Sequence, residues 1–382
     1  MGDGNSVSAS LQHGCESTDT RRKSAIPCER SILRFMPRSS RLRNPSSHEG
    51  GELALIERIR RRAGDKPVTS LRLGIGDDCA ILRPRAGQDL LVTTDFSLEG
   101  RHFRRDWHSP ESIGHRALAR GLSDLAAMGA RPIAAFLSLA LPRSVARDAD
   151  WLDGFLDGLL GLAAHHGVPL AGGDTSESPS EHVLADIVLL GSAPQGRALR
   201  RSGARVGDLI YCTGALGGAA VELSRLQDKG KDSVRSKPRS QTTSENPHLF
   251  PQPRLTAGQA LLRRRLATAC IDTSDGLSTD LTHLCEASGV NAEVDAARLP
   301  LHSLTQQLGA DAALSAALHG GEDYELLFTA KASAKMPRSL GGVAMTCIGR
   351  IVAMKRNAPQ ITLIAANGSR SVLAPRGWEH LR

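Results

Sequence analysis

The residues best suited to chemistry in this chain are carboxylates in short acidic motifs, most of which adjoin glycine. The motifs are GDD at 76–78, TTD at 93–95, SD at 123–124, GGD at 172–174, DTSDG at 272–276 and GED at 321–323. Carboxylates repel phosphate groups, so these motifs suit a phosphate-bearing substrate only when a cation lies between the two. Mg²⁺ fills that role, because it prefers oxygen ligands and is usually held by one or two carboxylates together with substrate phosphates. The motifs therefore predict a metal-dependent phosphoryl-transfer enzyme.

The first two motifs have an ordinary structural interpretation beside the functional one. Asp78 and its neighbouring glycine fit a tight turn. Thr93, Thr94 and Asp95 lie at the predicted end of a strand, where hydroxyl and carboxylate oxygens are typical ligands for Mg²⁺ and phosphate. Asp95 also fits the cap of a following turn. Both interpretations stay open for these two motifs.

Asp124 and the DTSDG motif favour a metal more strongly. Asp124 lies inside an otherwise apolar helical segment, where a carboxylate is costly unless it is paired or bound to a metal. Ser274 or Asp275 fits the cap of the helix predicted to follow, and the start of that helix is suited to receive a phosphate. Asp272 and Asp275 repel each other at one helix start unless a cation lies between them. This repulsion favours metal binding over plain capping.

Three further residues are candidate ligand contacts with equally plain alternatives. The glycines before Asp174 allow backbone N–H groups to approach an anion, although a glycine turn explains them too. Glu322, in the glycine-rich segment before a predicted strand, is placed to position an acceptor substrate, with a hairpin turn as the alternative. His102 follows the second motif and is either a phosphate contact or a solvated loop histidine.

Other known phosphate and metal motifs do not occur. The sequence has no G-x-x-x-x-G-K-[ST] phosphate loop, no G-x-G-x-x-G at the start of a helix after a strand, no H-E-x-x-H and no protein-kinase signature set. The acidic motifs therefore have to carry the phosphate chemistry themselves.

Composition and charge fit a cytoplasmic globular protein with two domains. The chain has 382 residues, of which 40% are hydrophobic and 23% charged. Its net charge of +8 comes entirely from residues 1–48 and 225–254, so it predicts solvated segments and not a folded nucleic-acid-binding face. The seven cysteines are scattered without a C-x-x-C pair, which indicates a reducing compartment. No apolar run approaches the roughly 18 residues that a membrane-spanning helix needs.

Helical and strand periodicities alternate along most of the chain. Helices are predicted at 52–63, 109–128, 146–165, 215–226, 257–266 and 277–287. Strands are predicted at 79–82, 90–94, 133–141, 168–170, 183–190, 209–212, 269–272, 324–329, 344–348 and 361–364. This alternation indicates two α/β or α+β domains. We predict a disordered basic extension at 1–48, in which Met36 is a candidate alternative start. We further predict an N-terminal domain at 49–205 that binds ATP and Mg²⁺, and a C-terminal α/β domain at 206–382 with a flexible insert near 227–253.

Taken together and in order, the motifs resemble those of the bacterial thiamine-monophosphate kinases, within the aminoimidazole-ribonucleotide-synthetase-like superfamily. The resemblance covers about residues 50–382 and rests on LGIGDDCA at 73–80, TTD at 93–95, LSDLAAMGA at 122–130, GGDT at 172–175, RSGA at 201–204, IDTSDGL at 271–277 and GGEDYEL at 320–326. Residues 1–48 lie outside the family pattern, and 227–253 align poorly with it.

The resemblance implies a fold, a reaction and roles for single residues. It implies a dimer whose N-terminal domains share a β-barrel, and a transfer of the γ-phosphoryl group of ATP to thiamine monophosphate. It implies several Mg²⁺ ions, held by residues at Asp78, Thr93, Thr94, Asp95, Asp124, Asp174, Asp272 and Asp275. Of these, Asp95, Asp124 and Asp272 are the expected catalytic residues. The expected ATP contacts are Gly173, Asp174, Arg201 and Ser274, and the expected contacts to thiamine monophosphate are His102, Glu322 and Trp378.

The implied mechanism is direct in-line transfer between two anionic reactants, governed by positioning and electrostatics. It needs no essential general base, because the second pKa of a phosphate monoester is about 6. Two alternatives remain at this point. One is a sister ATP-using enzyme such as aminoimidazole ribonucleotide synthetase or selenophosphate synthetase, and the other is a non-catalytic binding protein that engages nucleic acid through the basic segments.

Overall fold

The predicted alternation of helices and strands is present in the computed structural model, which describes residues 52–64, 70–229, 245–355 and 360–377. The helices are α1 (Glu52–Ala63), α2 (Pro110–Ala127), α3 (Arg143–Ala146), α4 (Ala149–His166), α5 (Gly218–Lys229), α6 (Leu255–Arg263), α7 (Leu277–Ser288) and α8 (Ala310–His319). The strands are β1 (Leu71–Leu73), β2 (Ile81–Leu82), β3 (Gln88–Leu98), β4 (Arg131–Leu141), β5 (Leu170–Glu177), β6 (Leu184–Pro194), β7 (Leu209–Thr213), β8 (Ala269–Asp272), β9 (Asn291–Asp295), β10 (Leu326–Ala330), β11 (Ser339–Leu340), β12 (Val343–Val352), β13 (Ile361–Ile364) and β14 (Arg370–Val372).

The first half of the chain forms a four-stranded sheet that packs against α2 and α4. Its strand order is β3-β6-β4-β5, with β4 and β5 parallel and the other neighbours antiparallel. Helix α2 begins as the sequence predicts, because Ser109 accepts a hydrogen bond from the Ser112 amide and Pro110 occupies the first turn. Its apolar stripe then covers one face of the sheet, and this packing fixes which side of α2 faces β3.

The second half forms a larger sheet with its own helical layer. The strand order is β14-β13-β9-β12-β7-β10-β8, and β11 pairs with β12. Strands β13 and β9 are parallel, and the other pairs are antiparallel. Every residue of β8 and β10 is buried. Asp272, at the end of β8, therefore lies on a fully buried strand.

The two halves share a continuous apolar core around α2 and α6. Leu122 of α2, Leu261 of α6 and Phe328 of β10 belong to one buried cluster. At the crossing of the two helices, a Cβ atom built on Gly258 would lie 1.9 Å from the carbonyl oxygen of Ala126. Only glycine permits this approach, because any side chain would collide with the α2 backbone. The end of β8 lies beside the C-terminal part of α2, where Ser123 contacts Asp272.

Several predicted elements differ from the observed ones. Residues 93–95 lie in the middle of β3 and not at a strand end, and the GGD motif lies inside β5 and not in a turn after a strand at 168–170. In both cases pairing with neighbouring strands extends the element beyond its apolar run. Helices α3 and α8 and strands β1, β9, β11 and β14 were not predicted.

The predicted flexible insert at 227–253 is wrong at both ends of its range. Helix α5 continues through Lys229, and His248, Leu249 and Phe250 are buried. The cause is the buried carboxylate of Glu222, whose Oε2 accepts hydrogen bonds from the amides of His248 and Leu249 at 2.7 and 3.2 Å. Residues 230–244 and the predicted extension at 1–48, including Met36, lie outside the described residues. Among the described helices, none has the length and apolar character needed to cross a bilayer.

Candidate active site

Strand β3 and helix α2 together present the first part of the site. Alternation along β3 directs Thr93 and Asp95 towards α2, whereas the side chain of Thr94 lies on the opposite, exposed face. Thr93 Oγ1 donates a hydrogen bond to Asp124 Oδ2 at 2.5 Å, and Arg120 Nη2 donates to Asp95 Oδ1 at 2.8 Å. The structure therefore brings Thr93, Asp95 and Asp124 together and separates the Thr94 side chain from them.

Asp272 joins this group from the second half of the chain. Its Oδ2 accepts a hydrogen bond from Ser123 Oγ of α2 at 2.6 Å, and the residue is buried. Burial and the charge of Asp272 raise the pKa of Asp124 to about 7, against the opposing hydrogen bond from Thr93. Burial also raises the pKa of Asp272, which the hydrogen bond from Ser123 opposes. The three expected catalytic carboxylates thus lie close together, on three different elements.

Besides Arg120, the cationic side chain of Arg201 acts on this cluster of carboxylates. Arg201 is exposed, and its positive charge lowers the pKa of both Asp124 and Asp272. A contact between Arg201 and ATP stays a prediction. The remaining repulsion between carboxylates in a partly buried site is the condition under which a bound cation is stabilising.

The oxygen-rich side chains of Thr93, Asp95, Asp124 and Asp272 fit Mg²⁺ as a ligand set. Across 52–64, 70–229, 245–355 and 360–377, no three His, Cys, Asp or Glu side chains are arranged to hold a metal ion. Hydroxyl and carboxylate oxygens from β3, α2 and β8 are therefore candidate ligands, which substrate phosphates would have to complete.

Asp78 and Asp174 lie outside the group formed by β3, α2 and β8. Asp78 is exposed in a bend where its amide donates to Asp77 Oδ1 at 2.8 Å, as in an ordinary turn. Asp174 is exposed on β5 and pairs with Ser138 of β4, on the sheet face that Thr94 also occupies. A Cβ atom on Gly173 would lie 1.8 Å from the carbonyl oxygen of Leu137, so glycine is required there by strand packing. The single chain does not bring these residues to Asp124.

The DTSDG motif is arranged differently from the prediction. Gly276 caps helix α7 without a side-chain hydrogen bond, and neither Ser274 nor Asp275 caps it. Asp280, one turn into the helix, accepts from the amides of Asp275 and Gly276 at 3.2 and 3.0 Å. Burial raises the pKa of Asp280 well above its usual value, and repulsion from Asp272 and Asp275 raises it further. Asp280 was missed because it reads as an ordinary helix residue four positions after a glycine.

The acidic residues of the segment 320–325 are each held by a different element. Glu322 is bound by Arg116 and His248, and Asp323 accepts from the amides of Gly217 and Ala219 at 2.7 and 3.1 Å. Glu325 pairs with Arg254 at 2.5 Å. Hydrogen bonds and ion pairs from other elements therefore hold this segment in place, and it is not a simple hairpin turn.

The remaining expected substrate contacts are His102 and Trp378. His102 Nδ1 accepts from the Leu98 amide at 3.0 Å, and its carbonyl oxygen accepts from Arg116 at 3.1 Å. Trp378 lies outside the described residues. The residue before it, Gly377, donates its amide to Thr279 Oγ1 at 3.1 Å at the start of α7.

Arg116 and Arg120 were also missed by sequence reasoning, although the sequence contains a signal for them. Together with Asp124 they recur every four residues along α2, so they lie on one side of the helix. Arg116 is buried and Arg120 is half-buried. Polar residues that recur at helical spacing within an apolar helix are a sequence signal for a functional face of that helix.

A separate open cavity of about 1240 Å³ lies between α1, α3, α4 and the end of β5. Arginines of α1 and of the segment after β4 line it, together with Thr175, Ser176 and Glu177 of β5. None of the expected site residues that the structure describes lies among the residues lining this cavity. The cavity therefore does not identify the site, which rests on the carboxylates.

Comparisons with known proteins identify the family of the chain. The family described as "AIR synthase related protein, N-terminal domain" matches residues 76–193, and its C-terminal counterpart matches 205–361. The thiamine-monophosphate kinase of Escherichia coli K12 is 42% identical over 313 residues, which cover 79% of this chain and 91% of that protein.

Solved structures give the same result. The crystal structure of thiamine-monophosphate kinase from Stenotrophomonas maltophilia K279a has a TM-score of 0.69 and 38% identity, covering 82% of this chain and 96% of that one. A structure described as "AaThiL complexed with AMPPCP and TMP" has a TM-score of 0.66 and 28% identity, covering 87% and 97%. The resemblance and the two-part mixed helix and strand fold are thereby confirmed. The chain belongs to the thiamine-monophosphate kinase family, within the AIR-synthase-related proteins.

Proposed function

We propose that the protein transfers the γ-phosphoryl group of ATP to the phosphate of thiamine monophosphate, yielding thiamine diphosphate and ADP. The observation that carries this proposal is the meeting of Asp95, Asp124 and Asp272 on three elements, in a chain 42% identical to a thiamine-monophosphate kinase. A related structure holds both AMPPCP and TMP, which are an ATP analogue and the acceptor. The proposal also places this step last in the synthesis of thiamine diphosphate.

The chain's own residues divide between the two reactants. Thr93, Asp95, Asp124 and Asp272 would hold Mg²⁺, which when bound neutralises and orients the phosphate groups. We assign Arg201, whose charge acts on Asp124 and Asp272, to ATP, together with Ser274, which lies two residues after the end of β8. His102, Glu322 and Trp378 are assigned to thiamine monophosphate. Asp78, Thr94, Gly173, Asp174 and Asp275 remain proposed Mg²⁺ or ATP ligands.

The chemistry proposed is a direct in-line displacement. An oxygen of the acceptor phosphate forms a bond to the γ-phosphorus while the bond from that phosphorus to the ADP oxygen breaks. The acceptor oxygen is largely ionised near neutral pH, because the second pKa of a phosphate monoester is about 6. No side chain has to remove a proton, so the carboxylates contribute charge and position.

We further propose that the protein works as a homodimer that pairs through the outward face of the first sheet. Val92 and Phe96 of β3 are 60% and 61% exposed, and Leu90 lies beside them at 50%. A stripe of large apolar side chains on an exposed strand is typical of an interface. Sedimentation of the wild type should give twice the chain mass, and Phe96→Glu should give a monomer. A monomeric wild type would contradict the pairing.

We propose a cytoplasmic location, where ATP is available. In keeping with a reducing compartment, the cysteines among the described residues are free thiols. Cell fractionation that recovered the enzyme outside the cytoplasm would contradict this.

The direct test of the activity is an acceptor comparison. The purified chain is incubated with ATP, Mg²⁺ and thiamine monophosphate, and thiamine diphosphate is quantified by chromatography. Free thiamine serves as the parallel acceptor. We expect product from the monophosphate only. ATP hydrolysis without thiamine diphosphate, or phosphorylation of free thiamine alone, would refute the proposal.

A further inference from the structure

The side chain of Arg116 ties together two chain segments that carry expected substrate contacts. Its Nη2 atom donates to Glu322 Oε1 at 2.7 Å and to the carbonyl oxygen of His102 at 3.1 Å. Its Nη1 atom donates to the carbonyl oxygen of His248. The Arg116 side chain is only 4% exposed, so these contacts form away from solvent, where charge-assisted hydrogen bonds are strong.

His248 holds the second oxygen of the Glu322 carboxylate. Its Nδ1 lies 2.9 Å from Glu322 Oε2, and its Nε2 lies 3.0 Å from His108 Nε2. His108 Nδ1 lies 3.2 Å from the amide nitrogen of Arg104 and 3.1 Å from its carbonyl oxygen. Burial lowers the pKa of both histidines, which favours the neutral form of each ring. The carboxylate of Glu322 is thereby fixed through both of its oxygens.

The backbone at Glu322 needs this support. Glu322 has a φ of 66°, a left-handed conformation that is unfavourable for a residue with a side chain. Its amide donates to the carbonyl oxygen of Ser274 at 2.8 Å. Side chain and backbone are therefore both held, and the Glu322 side chain still remains 23% exposed for a ligand.

We propose that Arg116 is a positioning residue for the acceptor substrate, and that it acts through Glu322 and the His102 backbone. The proposal rests on the proposed function, in which those two residues face thiamine monophosphate. Arg116 lies two helical turns before Asp124, about 12 Å along α2. Loss of Arg116 should therefore weaken binding of the acceptor substrate and leave binding of ATP unchanged.

The chain offers a matched control in Arg254. This arginine is 16% exposed and forms a buried ion pair with Glu325, three residues after Glu322, at 2.5 Å. Removing it also breaks a buried pair in the same segment, but its partner is not an expected substrate contact. A purely structural effect should appear equally in both variants.

The experiment measures KM for each substrate and kcat in Arg116→Met, Arg116→Lys and Arg254→Met. We expect Arg116→Met to raise KM for thiamine monophosphate about tenfold to a hundredfold, the usual cost of a lost charge-assisted hydrogen bond. KM for ATP should change less than about twofold. Arg116→Lys should fall between wild type and Arg116→Met, because lysine keeps the charge but lacks the planar fork. Arg254→Met should show no selective rise.

A double-mutant cycle tests the route of action. If Arg116 acts through Glu322, then Arg116→Lys combined with Glu322→Gln should raise KM for the acceptor little more than Glu322→Gln alone. If Arg116→Met does not fold, the double-mutant cycle and the Arg116→Lys variant still test the proposal. Additive effects, an unchanged KM for the acceptor, or equal losses for both substrates would overturn the proposal. A wild type that forms no thiamine diphosphate would refute the proposed function instead.

Discussion

Replacing Asp124 by asparagine should have opposite effects on stability and activity. Burial and the charge of Asp272 raise the pKa of Asp124 to about 7, from 3.8 in an unfolded chain. The unfolded chain therefore ionises first as the pH rises, and the folded state loses stability between about pH 4 and pH 7. The penalty is complete above the folded pKa. Asparagine carries no charge at any of these pH values and still accepts from Thr93.

The size of the stability change follows from the pKa shift of Asp124. A difference of about three pKa units corresponds to on the order of 4 kcal/mol at pH 8, and to under about 2 kcal/mol at pH 5. Urea unfolding in EDTA should show Asp124→Asn to be more stable than wild type by amounts approaching these limits, with the larger gain at pH 8. Turnover should nevertheless fall by about a hundredfold or more, as when one electrostatic group is removed from other active sites.

Asp208 provides the control for a structural carboxylate. It is buried, and its Oδ2 accepts from Thr268 Oγ1 at 2.7 Å and from the Arg205 amide at 3.0 Å. Asp208→Asn should lose about 1–2 kcal/mol of stability and keep its turnover while folded. If Asp124→Asn were destabilised in the same way, or kept full Mg²⁺-dependent turnover, the reasoning about Asp124 would be refuted.

Three further outcomes follow from the same structure. Binding of Mg²⁺ with an ATP analogue near pH 7 should release protons from Asp124, so calorimetric heats should depend on the ionisation enthalpy of the buffer; heats independent of the buffer would argue against that ligand. Ser123→Ala should lower the free energy of unfolding by about 1–3 kcal/mol, because Asp272 loses its hydrogen bond; unchanged urea unfolding would contradict that contact. Gly258→Ala should cost about 1–3 kcal/mol through its clash with Ala126, whereas Gly161→Ala, where a Cβ meets nothing within 4 Å, should be neutral or stabilising in thermal melts.

Local patterns were enough to predict the parts of the site that depend on one element. The cap at Ser109 and the apolar stripe of α2 predicted the helix, and the cost of a carboxylate in that stripe pointed to Asp124. Asp272 was predicted because its strand and the following helix are both evident in the sequence. These inferences need no knowledge of distant residues.

The parts that failed depend on contacts between distant segments. The GGD motif has the composition of a turn, but pairing of β5 with β4 extends it as a strand. The segment around His248 has the composition of a linker, but Glu222 and Arg116 hold it in the interior. No local pattern specifies partners more than twenty residues away.

The central claim is that Asp95, Asp124 and Asp272 hold the divalent cations that bring the two phosphate groups together. It is tested most directly by a crystal grown with Mn²⁺, a non-hydrolysable ATP analogue and thiamine monophosphate. The account predicts anomalous peaks within coordination distance of Asp124 and Asp272, between the γ-phosphate and the acceptor phosphate. Peaks found only elsewhere, with these carboxylates facing no phosphate, would contradict it.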